Sequence, residues 1–263
     1  MSLLTFNIST KNNLFQKLTN QSYQIMPTRF NFINYLKFNK TASPTNILLH
    51  TGYDFRPWTS EFAIKTNYQY LLFQNYIDTS KHLNVKQLLI HGPDSTETLP
   101  FLSYTLSLLK YYNKNNINIS IEMPAFTKNV YSVINKSDML NFIRSYFNEC
   151  IKYGFEIVID TAHLYSNGLE VDDMIKLLNE YKNNYTFIHL NGNENDKYTK
   201  DKHTTFTKNN KIKDIDKLLK YVSKLNKICI SEQKCNDMKY FKEIADKYGF
   251  KLNDEKNIEK LVI

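Results

Sequence analysis

The chain is short of the residues that mark several protein classes. Its three cysteines, Cys150, Cys229 and Cys235, form an odd set without CxxC spacing. Neither a disulfide framework nor a thiolate zinc site is supported, so all three are expected as free thiols. No apolar run approaches the roughly 18 residues of a membrane span. The first residues, MSLLTFNIST, lack the basic, apolar and small-residue order of a secretory signal. A soluble, intracellular protein with no membrane partner is expected. There is no linker rich in Pro, Gly or Ser, no internal repeat, no low-complexity tract and no Gly-rich phosphate loop. Acidic residues are missing from one region altogether. Residues 1–50 contain Lys11, Lys17, Arg29, Lys37 and Lys40, and the first carboxylate in the chain is Asp54. With a formal net charge of +8, such a one-sign segment suits a polyanionic partner, although solvated lysines account for it equally well.

What is present suffices for a large core. The 263 residues are 42% hydrophobic and 14% aromatic, which excludes wholesale disorder and fits one domain spanning 1–263. Short apolar runs alternate with longer segments of helical periodicity, the pattern of βα units around a buried parallel sheet. Strands are predicted at 3–8, 23–26, 46–50, 87–91, 117–122, 156–160, 185–190 and 227–232. Eight such units predict an α/β fold, a single (β/α)8 TIM barrel. The helical pattern is plainest at 211–225. There Ile215, Leu218, Leu219, Val222 and Leu225 make one stripe, while Lys213, Lys217, Lys220 and Lys224 mark a solvated face.

Six of these strands carry, as their last or next-to-last residue, a group able to bind a metal: His50, His91, Glu122, Asp160, His189 and Glu232. Apolar β-runs have no structural need for such endings, and imidazole and carboxylate are the donors zinc accepts when cysteine is absent. In a parallel barrel all strand ends share one rim, so residues scattered along the chain are expected to converge there. His82, in a helical stretch, lies outside the pattern. Two local pairs add donors. His163 follows Asp160 by three residues in EIVIDTAH, and Asp201 alternates with His203 around Lys202, which lets an extended loop point both one way. Nine N and O donors are too many for one tetrahedral ion and suit two or three.

The ordered set H, H, E, DxxH, H, DxH, E resembles that of the endonuclease IV family, zinc-dependent abasic-site endonucleases built on a (β/α)8 barrel. The resemblance runs from TFNIS near the start to ISE at 230–232. It implies about three zinc ions per chain: one held by His50, His91 and Glu122, a second by Asp160, His189 and Glu232 with Glu122 shared, and a third by His163, Asp201 and His203. It further implies a DNA repair hydrolase that cuts the phosphodiester 5′ to an abasic site in duplex DNA, leaving a 3′-hydroxyl and a 5′-deoxyribose phosphate. Glu122 and Glu232 would be its catalytic carboxylates, with Glu232 orienting the attacking water. Tyr53 stands where the family carries an aromatic that enters the DNA, and Arg29 is the candidate inserted arginine. The protein is expected to act as a monomer. The sequence departs from the family at His91-Gly92-Pro93, at Gly192 in His189-Leu190-Asn191-Gly192, at Thr204–Lys208, at Asn7 in place of a strand-one histidine and at Asp54 beside the aromatic.

Two other readings stay open. A sugar isomerase or epimerase barrel also gathers His, Glu and Asp at strand ends, but with one or two ions. A non-catalytic lesion-binding protein would hold abasic duplex without cutting it.

Overall fold

The computed structural model describes residues 2–9, 23–26, 47–82, 85, 87–207, 209–232 and 238–252. Its elements run β1 (Leu3–Ser9), β2 (Tyr23–Met26), β3 (Ile47–His50), α1 (Tyr68–His82), β4 (Gln87–His91), α2 (Leu102–Tyr112), β5 (Asn118–Glu122), α3 (Lys128–Val133), α4 (Met139–Lys152), β6 (Glu156–Asp160), α5 (Thr161–Ser166), α6 (Val171–Glu180), β7 (Phe187–His189), β8 (Gly192–Asn193), β9 (His203–Thr204), α7 (Ile215–Val222), β10 (Ile228–Ser231), α8 (Met238–Tyr248) and β11 (Lys251–Leu252). Each of the eight predicted strands is present within two residues of its expected bounds. The short strands β8, β9 and β11 are additional, and two residues are too few to carry a periodicity.

Two compact units interleave along the chain. One comprises 8–124 and 142–157, the other 1–7, 125–141 and 158–263. In the first, β2, β3, β4 and β5 pair in parallel and in chain order. β4 is buried along Gln87–Ile90, as expected of strands covered on both faces. Phe55, Phe62, Phe73 and Tyr76, all essentially inaccessible, form an aromatic cluster beside this sheet. Truncating any of these rings to alanine removes about 3–5 kcal/mol.

In the other unit the parallel order is β6, β7, β10, β1, β11. The first strand of the chain therefore pairs with the last of the eight predicted ones, the connection that closing a barrel demands. Helix α6 buries Val171, Met174, Leu177 and Leu178 at helical spacing, and Asp172 and Asp173 in its first turn complement the helix dipole. Helix α7 buries Leu218, Leu219 and Val222 and is shorter than the periodicity over 211–225 predicts. Asp214 (φ 55°) and Asn226 (φ 57°) adopt the left-handed conformation on either side of it, which no continuing helix permits. Its lysines face outward as expected, and Lys217 pairs with Asp172 of α6. No described helix is long and apolar enough to cross a membrane.

Candidate metal centre

In the first unit three strand ends bring their side chains to one face. His50 closes β3 and is in register with Leu89, two residues before His91. His91 closes β4 and is in register with Glu122, the end of β5. Side chains two apart on a strand share a face, so the three groups point together. Glu122 is fully buried. Its Oε2 lies 3.1 Å from His50 Nε2 and 3.4 Å from His91 Nε2. Tetrahedral donors about 2.05 Å from zinc stand roughly 3.3 Å apart, so these separations fit a shared ion.

The tautomer of His50 gives a second test of fit. Its Nδ1 lies 2.8 Å from Thr51 O. A carbonyl only accepts, so Nδ1 carries the hydrogen and the lone pair of the neutral ring sits on Nε2. That lone pair faces the carboxylate oxygen. Two acceptors at 3.1 Å call for a cation between them, either a proton or a metal ion. A metal-bound histidine commonly anchors its other nitrogen in this way.

Tyr53 stands three residues beyond His50. It is 64% exposed, and its ring stacks on His91 with centroids 4.8 Å apart. The loop that carries it is braced from α1. Gln69 accepts from Arg56 N at 2.6 Å and donates to Asp54 O at 3.0 Å, while Gly52 N donates to the Tyr76 hydroxyl at 2.7 Å. Trp58 Nε1 donates to His91 O at 2.8 Å. An exposed aromatic on a braced loop is a surface for stacking rather than part of the core.

The other unit gathers six donors. Asp160 ends β6 in register with His189 at the end of β7, and Ile230 of β10 is also in register with His189. Glu232, two residues past Ile230, thus shares that face. His189 Nδ1 lies 3.5 Å from Glu232 Oε2 and 3.7 Å from Asp160 Oδ2. His163 lies in the first turn of α5, because Asp160 caps that helix by accepting from Ala162 N at 2.7 Å and His163 N at 3.0 Å. His203 belongs to β9, which pairs antiparallel with β8, and this hairpin returns Asp201 and His203 toward Asp160. His203 Nε2 is 3.2 Å from Asp201 Oδ2 and 3.6 Å from Asp160 Oδ2. His163 Nε2 is 3.6 Å from Asp201 Oδ2.

Electrostatics hold the Asp201 carboxyl of this cluster in the ionised form a metal requires. Burial works to raise the Asp201 carboxyl, but the adjacent imidazoles of His163 and His203 outweigh it and keep the group far below the usual carboxylate range. Burial lowers His203, and the carboxylates of Asp160, Asp201 and Glu232 together reverse this and raise it. His203 Nε2 is buried and lies close to Asp201, yet it is not aligned for a hydrogen bond. Donor atoms aimed at a common point rather than at each other are what an ion site presents. By donor chemistry and spacing, both clusters fit zinc or a similar divalent ion.

The residues that brace this cluster are given no role by the sequence, although Asn191 lies in the stretch His189–Gly192 compared with the family. Asn191, fully buried, donates to Asp160 Oδ2 and accepts from Glu232 N, both at 2.8 Å. Asn193 donates to Ala162 O and Ser166 Oγ and accepts from Lys202 N at 3.2 Å, so it ties the loop carrying Asp201 to α5. Their position just after His189 is the one signal the sequence offers for them. Arg29, Cys235 and the basic residues at 11–40 lie outside the described residues. Cys150 and Cys229 are buried free thiols, and burial pushes both well above the usual thiol range.

No protein-family model matches the chain, and no curated protein matches its sequence. Solved structures match over nearly its whole length. Endonuclease IV from Thermus thermophilus is 13% identical with a TM-score of 0.62, over 94% of this chain and 97% of that one. A xylose isomerase domain protein from Planctomyces limnophilus is 11% identical with a TM-score of 0.60, over 94% and 98%. The IOLI protein with a bound zinc atom is 14% identical with a TM-score of 0.54, over 95% of each chain. Sugar isomerases and epimerases are more frequent among such matches than endonucleases. The fold is therefore that of a (β/α)8 barrel, shared with these structures.

Proposed function

We propose that the chain is a zinc-dependent endonuclease that hydrolyses the DNA phosphodiester 5′ to an abasic site, leaving a 3′-hydroxyl and a 5′-deoxyribose phosphate. The observation that carries this reading is the surplus of donors. One unit alone places Asp160, His163, His189, Asp201, His203 and Glu232 in a series of contacts of 3.2–3.7 Å. That exceeds the needs of one tetrahedral ion. In a (β/α)8 barrel the C-terminal strand ends share one face. On this reading His50, His91 and Glu122 supply the donors for a further ion, for about three in all.

Zinc bound by these residues would supply Lewis acidity at a phosphoryl oxygen and would lower the pKa of a coordinated water to about 7. The chain's own part is orientation. Glu122 and Glu232 offer buried or nearly buried carboxylates that position a water and take its proton. His163, Asp201 and His203 form the group placed for the leaving oxygen. An abasic site lacks stacking and a base pair, so extruding its sugar is less costly than flipping an intact nucleotide. Tyr53 supplies a stacking face for the gap, with Arg29 as a further contact to the backbone. The acid-free first 50 residues suit phosphates.

The test is a duplex with one synthetic abasic site, incubated with the protein before and after chelation and after zinc is restored. Incision that disappears with chelator and returns with zinc supports the reading, while intact duplex with zinc-loaded protein overturns it. The second reading, a sugar isomerase or epimerase, is favoured by the number of structural neighbours that carry such names. It requires one or two ions per chain, so elemental analysis separates the two, with a content near three favouring the nuclease.

A further inference from the structure

We infer that Asn191 is a positioning residue of the metal centre, a single amide that fixes both the coordinating oxygen of Asp160 and the chain position of Glu232. The inference rests on the reading of these residues as metal ligands.

Most lone pairs of Asp160 are already committed. An ionised carboxylate has about four acceptor sites. Oδ1 receives two backbone hydrogens, from Ala162 N at 2.7 Å and His163 N at 3.0 Å. Oδ2 receives Asn191 Nδ2 at 2.8 Å. One site is left, on Oδ2, the atom that faces His203 Nε2 at 3.6 Å and His189 Nδ1 at 3.7 Å. Asp160 is thereby restricted to a single coordinating oxygen, and the α5 N-terminus and Asn191 set the direction in which it points.

The orientation of the amide follows from its other bond. Asn191 Oδ1 lies 2.8 Å from Glu232 N. A backbone N–H only donates, so oxygen must occupy that side and the amino group must face Asp160. The backbone of Asn191 is fixed in turn by the Thr161 hydroxyl, which accepts from Asn191 N at 2.9 Å and lies 2.7 Å from Asn191 O. Thr161 follows Asp160 directly. Asp160, Thr161 and Asn191 are all fully buried, where such bonds are insulated from competing water. Glu232 follows β10 immediately, and the bond to its N–H sets the point from which its carboxylate reaches His189 at 3.5 Å and His203 at 3.7 Å. Two ligands from different strands are therefore registered through one side chain that touches no metal itself.

Partners of this kind commonly contribute 10–100-fold to metal affinity. The test compares wild type, Asn191→Leu, Thr161→Val and Asn167→Ala. Asn167 is a buried amide in the same unit whose side-chain oxygen is taken by Phe126 N and Tyr131 Oη, so it controls for the loss of a buried Asn. Zinc affinity is measured by competition with a chromophoric chelator, ligand geometry by the visible absorption of the cobalt(II) form, and folding by thermal unfolding of the metal-free proteins. The expected result for Asn191→Leu is a loss of about 10-fold or more in zinc affinity at one site and an altered cobalt spectrum, with both unchanged in Asn167→Ala. A folded Asn191→Leu with wild-type affinity overturns the inference. If that variant does not fold, Thr161→Val decides, a loss in the same direction supporting the role and wild-type affinity overturning it. Wild-type protein that takes up no zinc sinks the underlying metal reading, and that control reports separately from the variants.

Discussion

Gly92, directly after His91, is where packing and the candidate centre can be tested together. A Cβ built on Gly92 would stand 1.6 Å from Tyr146 Oη, 2.9 Å from Tyr146 Cζ and 3.0 Å from Glu122 O. Non-bonded carbons rest at about 3.5–4.0 Å, so Gly92→Ala forces the buried Tyr146 hydroxyl to move by more than an ångström. Overpacking of this kind costs about 1–3 kcal/mol. Tyr146→Phe removes the atom in closest conflict. In the Phe background the alanine meets only the 2.9 and 3.0 Å contacts, so the two changes should be coupled by about 1 kcal/mol. Urea unfolding of the four metal-free proteins, followed by circular dichroism, measures the cycle. The zinc affinity of Gly92→Ala should fall as well, since the shift reaches His91 and Glu122, and recover in part in the double variant. Energies that add within about 0.5 kcal/mol would refute this account of why glycine stands there.

Zinc should stabilise the folded chain by about 2.7 kcal/mol when free zinc is 100-fold above its dissociation constant; calorimetry with and without chelator checks this, and an unchanged melting temperature contradicts a folded-state metal site. Asp201→Asn removes the carboxylate that faces both His163 and His203 at 3.6 and 3.2 Å, so elemental analysis should show about one ion fewer per chain with the remaining zinc retained. Tyr53→Ala should lower incision of abasic duplex about 10–100-fold, from a stacking contribution of roughly 1–3 kcal/mol. Its stability should stay within about 0.5 kcal/mol because the ring is exposed; equal incision removes Tyr53 from the DNA-facing surface. Cys150 and Cys229 should resist a thiol reagent in the native protein and react on unfolding, since burial keeps both protonated.

The parts of the fold visible in the sequence are those whose signal is local. Runs such as QLLIH and EIVID hold three consecutive apolar residues and end in a donor, and they form β4 and β6 with the same bounds. The hairpin of β8 and β9 carries no such mark, although it returns His203 toward Asp160. Its strands hold two residues each and depend on Asn193 to bind the intervening loop. The spacing of Asp160 and His163 discloses proximity but not its cause, which is that the carboxylate caps α5. Asn191 is invisible as a site residue because its importance lies in two hydrogen bonds to partners 31 and 41 positions away. Sequence patterns report faces and periods, whereas bonds between distant strand ends emerge only once the register is set.

The departures from the endonuclease IV pattern can be separated by what each replacement touches. Gly92 admits Tyr146 behind the strand end of His91. At Gly192 a Cβ would lie 2.7 Å from Thr205 O and 2.9 Å from Thr204 O, so glycine there lets the chain beyond His203 approach β8 closely. A backbone carbonyl cannot rotate aside as a side-chain end can, and Gly192→Ala must therefore open the hairpin or shift its register. Either movement displaces His203 from Asp160 and Asp201 while leaving His50, His91 and Glu122 in place. The substitution should thus cost zinc at the His163, Asp201 and His203 group selectively, by an amount that Asp201→Asn does not increase further when the two are combined. Additive losses would mean that the hairpin and Asp201 act on different ions, and the assignment of this trio to one ion would then fail.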